Sequence, residues 1–230
     1  MSGEIAAIVP VLDEELRIGP CLAALRAVSG IAEIVVVDGG SGDRTVAIAR
    51  SVPGVRVMET TRGRGSQMNA GAAEATADVL LFVHADVQLP EDAARWIART
   101  LMDVGVVAGA FRTRTVADQA SSWVARFLPL ADIRSRVSAL PYGDQALFVR
   151  RAAFERVEGF PDQPLMEDLE LAYRLRRLGR IAQVPATVNV SGRRFLAHPM
   201  ASILAMRLFP TLYRLGVSPQ ALAWIYGRPR

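Results

Sequence analysis

The chain has 230 residues, 51% of them apolar, so it can bury a sizeable core and suits one α/β domain better than several small ones. Formal net charge is +4, yet all 23 acidic residues fall at or before Glu170, while ten of the 27 cationic residues, every one an Arg, follow it. A single cysteine, Cys21, excludes a disulfide framework, and the apolar runs are cut by Arg, Pro or Asp too often for a bilayer-spanning helix.

The opening "MSGEIAAIVPVL" lacks a basic lead and a small-residue cleavage site, so no export signal is expected and the expected compartment is reducing and cytoplasmic. Strand-like apolar runs follow at 5–11, 33–38, 55–59, 79–86 and 106–111. Between them "EELRIGPCLAALRAV", "RTVAIARSV", "SQMNAGAAEA" and "EDAARWIARTL" carry apolar residues at helical spacing, with Cys21 as a small core residue of the first. Continuous apolar strands joined by helical crossovers predict a mostly parallel, twisted sheet covered on both faces, whose ligands gather beyond the carboxyl ends of the strands. After residue 112 the alternation fades into a helical stretch near "DQASSWVARFL", a loop "ALPYGDQ" entering a strand, and a helix in which Leu171, Leu175 and Leu178 form a stripe stopped by Gly179. Two short strands, "IAQVP" and "TVNV", precede helical pieces "MASILAMRLFPTLYRLG" and "PQALAWIYG".

Acids stand at the predicted strand ends. Asp38 closes "EIVVVD" and is followed by two glycines, which suits hydrogen bonding to a nucleotide and equally suits a local Asx-turn, with Ser41 or Asp43 capping the next helix. In "LLFVHAD" a strand running to Asp86 would send His84 and Asp86 out on one face, where Asp86 is available to a divalent cation or simply caps the next helix, and His84 reads as well as a core histidine. "TRGRGSQMNAG" combines Arg62 and Arg64 with a helix start, an arrangement that favours phosphate or forms a plain surface loop. Glu167 and Asp168 open another helix, as ordinary dipole complements or as a source of a general base. The Walker pattern and the G-x-G-x-x-G turn are both missing.

Together these stretches resemble the inverting family-2 glycosyltransferases of the GT-A fold. The resemblance runs from about Ile5 to Gly179: "IVPVLDEE" is similar to the family's opening motif, with Asp13 in place of the usual Asn. "VVVDGGSGDRT" and "GRGSQMNAG" match its second and third motifs. "HAD" occupies the Asp-x-Asp position, "MEDLELAYRLRRLG" resembles the segment of the catalytic base, and "SGRRF" is a distant match to the Arg-Arg-Trp motif. The resemblance implies a GT-A domain over 1–192 and a basic, mainly helical extension over 193–230, packed on the domain, a second subunit or a membrane surface. It implies a UDP- or GDP-sugar donor held by Pro10, Glu14, Asp38, Arg64, Asp86, Arg193 and Arg194, with Asp38 on the base. Mg²⁺ or Mn²⁺ would be bound by Asp86, with His198 as a further ligand. Asp168 would be the general base, and Tyr142, Asp144 and Glu167 would position the acceptor, an unidentified hydroxyl compound for which a lipid phosphate is one candidate.

Nucleic acid is not an expected partner, whereas a homodimer and contact with the inner face of the membrane are compatible with the basic tail. Two other readings stand beside transfer: a nucleotide-sugar-binding module without turnover, and a sugar nucleotidyltransferase, which would need a Gly-rich loop where "VPVLDEE" stands.

Overall fold

The computed structural model describes residues 3–116, 132, 140–193, 196 and 199–226. Three parallel strands form its centre: β1 (Ile5–Val11), β2 (Ile31–Asp38) and β4 (Val79–Phe82), with β3 (Val55–Glu59) on the outside of β2. Every residue of β1 is buried, as a continuous apolar run with helices on both faces requires. Its side chains alternate between two cores. Ala7, Val9 and Val11 face α1 (Glu15–Ala27), α2 (Thr45–Arg50) and α4 (Ala93–Leu101) through Ile18, Leu22, Ala49 and Ile97. Ala6 and Ile8 face the opposite layer, built from Met68 and Ala72 of α3 (Arg64–Glu74), Phe154 of α5 (Arg151–Arg156), and Leu171 and Leu175 of α6 (Glu167–Arg176).

The second half of the sheet makes it mixed. Short β7 (Phe148–Arg150) runs antiparallel to both β4 and β6 (Val106–Val116), while β8 (Arg180–Ser191) lies parallel to β6 and antiparallel to the two-residue β5 (Val87–Gln88). The full order is β3-β2-β1-β4-β7-β6-β8-β5. The two short strands expected after residue 180 are one strand, because a bulge between the Ala110–Gln183 and Arg112–Thr187 pairings absorbs Pro185, which has no N–H to give to the ladder.

The strand expected to reach Asp86 leaves the sheet after Phe82. Val83 still donates to the Ile8 carbonyl (3.0 Å), but the Val87 N–H closes a turn onto the His84 carbonyl (3.0 Å), so His84 and Asp86 stand on a turn at the sheet edge. The predicted helix near 118–128 lies outside the described residues. The last predicted helices form α7 (Pro199–Arg214) and α8 (Pro219–Tyr226), which pack together through Ala205, Phe209 and Leu222. Cys21 is buried in α1, and burial, with the Asp86 and Glu14 carboxylates adding to it, pushes its thiol up to about 12, well outside the range of a reactive thiolate.

Candidate active site

The carboxyl ends of β1, β2 and β4 open into a shallow cleft lined by Pro10, Val11, Leu12, Glu14, Arg64, Gln67, His84, Ala85 and Asp86. Its floor is held by a residue to which the sequence reading gave no role. Gln67 is buried on α3, and its Nε2 donates to the carbonyls of Val11 (2.9 Å) and Val37 (2.8 Å), tying two strand ends that the ladder leaves open.

Asp38 is 1% exposed at the end of β2 and turns the chain as an Asx-type motif: its Oδ2 accepts the N–H groups of Gly40 and Ser41 (2.8 Å each), and the Ser41 hydroxyl donates to Oδ1. The facing loop is fastened to it by Asp13, whose N–H donates to Ser41 Oγ and whose Oδ1 accepts the Gly42 N–H (2.9 Å each). Asp13 has φ 53°, a left-handed conformation that Asn and Asp adopt more readily than other side-chain-bearing residues, which accounts for Asp standing where the resembling family has Asn.

Around the cleft the charges alternate. Arg193 contacts Glu14 through Nη2 and lies 3.7 Å from Asp86 Oδ2, while Glu14 Oε2 is also 3.7 Å from Arg17 Nε. Across the opening, Arg64 Nη1 sits 3.4 Å from Glu167 Oε1. Burial opposes the Arg64 charge, but the carboxylates of Glu167, Asp168 and Asp86, in that order, raise its pKa above the ordinary value, and Tyr226 of α8 adds to the effect. Arg64 is thus the common neighbour of the acids on both sides.

Asp168 lies in the first turn of α6, which begins after Met166 at φ 66°. Its Oδ2 accepts the Gly143 N–H at 2.9 Å. Gly143 has no room for a side chain: a Cβ there would stand 2.5 Å from Asp168 Oδ2 and 2.8 Å from His84 Nε2, so the backbone of the 143–145 turn, the base candidate and His84 meet at one point. Burial first, and then the Glu167 carboxylate, push the Asp168 carboxyl up to about 7; Arg64 and the Gly143 N–H oppose the rise and Asp144 adds to it. A carboxyl poised there can both take and hold a proton near neutral pH.

Asp86 and Asp168 are thus both neighbours of Arg64, while Asp38 ends β2 next to the carbonyl that Gln67 ties to β1. Tyr142 and Asp144 flank Gly143 in the same turn, and Tyr142 packs with Leu140, Leu169 and Ala172. Arg194 and His198 fall outside the described residues. Among the described residues no three His, Cys, Asp or Glu side chains form a metal-holding group. The donor set that remains, Asp86 beside an open cleft, fits a hard divalent cation that takes most of its oxygen ligands from phosphate and water.

Comparison with known proteins gives a consistent picture. The family model described as Glycosyl transferase family 2 matches residues 6–157. The chain is 27% identical over 214 residues to a probable glycosyltransferase, YdaM, of Bacillus subtilis (strain 168), covering 81% of this chain and 50% of that protein. It is 32% identical over 128 residues to the uncharacterized glycosyltransferase Rv0539 of Mycobacterium tuberculosis, covering 55% and 56% of the two chains. The chain thus spans about half the length of these curated relatives. Among solved structures, a mannosyltransferase of Pyrobaculum calidifontis in complex with GDP-Man and Mn²⁺ superposes with a TM-score of 0.74 at 22% identity, covering 98% of this chain and 68% of that one. TarS of S. aureus in complex with UDP-GlcNAc gives 0.65 at 18% identity over 82% and 58%. These likenesses are of fold.

Proposed function

The chain belongs to glycosyl transferase family 2, and from that membership we propose that it moves a sugar from a UDP- or GDP-sugar to an acceptor hydroxyl with inversion, Asp168 serving as the general base. The observation that carries the reading is the meeting of Asp86 and Asp168 around Arg64, with the Asp168 carboxyl raised to about 7.

The acceptor hydroxyl gives its proton to an Asp168 oxygen while its own oxygen forms a bond to the anomeric carbon, from the face opposite the leaving group. The bond from that carbon to the diphosphate oxygen breaks, and the nucleoside diphosphate departs with the electron pair. The Gly143 N–H orients the carboxylate, and Glu167, Tyr142 and Asp144 border the space where the acceptor would lie. Donor binding falls to Pro10, Glu14, Asp38, Arg64 and Asp86, joined by Arg193 and Arg194.

Asp38 has both oxygens engaged within its loop, so in this reading it reaches the base only with an adjustment of the Ser41 hydroxyl, the softest of its three donors. Mg²⁺ or Mn²⁺ held by Asp86 together with the donor, with His198 as a further ligand, would neutralise charge on the departing diphosphate. Arg193, which stands against Asp86 and Glu14, would contribute its guanidinium to the donor's phosphate oxygens.

The test is a panel of UDP- and GDP-sugars offered with Mn²⁺, with the anomeric configuration of the product read by proton NMR. Inverted product supports the proposal and retained configuration contradicts it. Donor binding with no cleavage of any donor would instead support the module without turnover.

A further inference from the structure

Among the described residues nine large apolar side chains are exposed, and six of them lie between Leu204 and Tyr226. Leu204, Leu208 and Leu215 follow one another at helical spacing along α7 and just past its end, while Trp224, Ile225 and Tyr226 close α8; Trp224 is 86% exposed and Leu215 77%. One or two such residues on a surface are ordinary, but this density in two short helices marks a face that gains by leaving water.

The charge on the same face narrows what it meets. No Asp or Glu follows Glu170, and Arg207 is exposed between Leu204 and Leu208. A two-fold contact between copies would set this acid-free face against itself, leaving its guanidinium groups without carboxylates to pair with. Lipid phosphates supply that missing anion, and an indole such as that of Trp224 favours the boundary between headgroup and acyl chain. As described, α7 is about 24 Å long at 1.5 Å per residue, and no helix among the described residues is long and apolar enough to span a bilayer.

We propose that the outer face of α7 and α8, carried by Leu204, Leu208, Leu215, Trp224 and Ile225 with Arg207, docks onto an anionic lipid bilayer and lies in its interface. The proposal stands on this surface alone and does not depend on the transfer chemistry. Its inner side shows what docking would orient. Ala205, Phe209 and Leu222 pack on Leu165 and Met166, immediately before Glu167 and Asp168, and the Tyr213 hydroxyl donates to Glu170 Oε2 at 2.8 Å. The docked face is therefore backed by contacts to the helix that opens on Asp168, so docking would orient the cleft relative to the headgroups.

The full chain is sedimented with vesicles of equal parts phosphatidylglycerol and phosphatidylcholine, and with phosphatidylcholine alone, at low and high salt. The expected result is binding to the anionic vesicles that weakens in high salt and on neutral vesicles, with a loss of about tenfold or more in partitioning for the Trp224→Ser/Ile225→Ser double variant. Both positions are exposed, so circular dichroism should stay unchanged, and Arg207→Gln provides a second variant that touches only the charge. Failure of the parent chain to bind anionic vesicles overturns the proposal, as does binding that both variants leave intact. A dimer in sedimentation equilibrium that the double variant dissociates, without vesicle binding, would assign the face to a second copy instead.

Discussion

Asp168 is raised because its site withholds water and sets Glu167 beside it, and both effects work against the charged form that a base needs. Catalysis by this group should therefore carry an acid limb: kcat/KM is expected to rise with pH through about 7 and level off above it, as the carboxylate form fills. A rate independent of pH between 5 and 9 would assign the proton to another group. Gly143 holds the same carboxylate from the other side. Gly143→Ala forces a Cβ into the space of Asp168 Oδ2 and His84 Nε2, and a shift of the base by about 1 Å costs roughly 100-fold in rate. The expected result is a fall of that order in kcat with donor affinity unchanged; a parallel loss of donor affinity would mean that the turn supports the whole cleft. The place of Asp168 in the first turn of a helix was legible in the sequence, because an acid pair precedes the leucine stripe. Gly143 was not, since a glycine between Tyr142 and Asp144 shows its purpose only when a residue 25 positions away is seen to touch it.

Helices and strands of the first half of the chain were legible from periodicity alone, and the ends of these elements were not. The apolar run 79–86 gives no sign that the strand ends at Phe82, because the turn that the Val87 N–H closes onto the His84 carbonyl lies within the same apolar stretch. Side chains that close backbone gaps were equally hidden. Arg151, at the start of the neighbouring α5 in the same layer, donates to the carbonyls of Ala72 (3.0 Å), Ala75 (2.8 Å) and Ala77 (2.7 Å), satisfying the C-terminal end of α3. Arg151→Met removes these donors and is expected to destabilise the fold by about 1–3 kcal/mol in urea titration; a change within error would mean that water replaces the guanidinium at no cost. Close packing of α3 on the sheet is the second demand at this scale. A Cβ at Gly71 would stand 2.5 Å from Ile8 Cγ2 and 2.9 Å from Val37 Cγ2, so Gly71→Val is expected to cost about 1–3 kcal/mol by overpacking, read in the same titration.

For the molecule as a whole, the acid proposed to take the acceptor's proton works against stability. A carboxyl whose folded-state pKa lies above its unfolded value binds its proton more tightly in the native chain, so its contribution is fullest below about pH 4 and is lost as pH rises through about 7. Asp168→Asn removes that loss. The variant is expected to melt higher than the parent above pH 7, with the gap closing toward pH 4; an equal or lower melting temperature at pH 8 would contradict the burial argument. The uneven charge of the chain was plain in the sequence, but only the packing of α7 and α8 on Leu165 and Met166 shows that its basic end adjoins the cleft. The central claim is that the carboxylates at the strand ends bind a nucleotide sugar and that one of them, at position 168, takes the acceptor's proton. The most direct measurement is release of nucleoside diphosphate from GDP- and UDP-sugars with Mn²⁺ by the parent chain and by Asp168→Asn, alongside calorimetric binding of the same donors. The account predicts release by the parent and none by the variant, with equal donor affinity; turnover by Asp168→Asn at the parent rate, or a parent chain that binds neither donor, would contradict it.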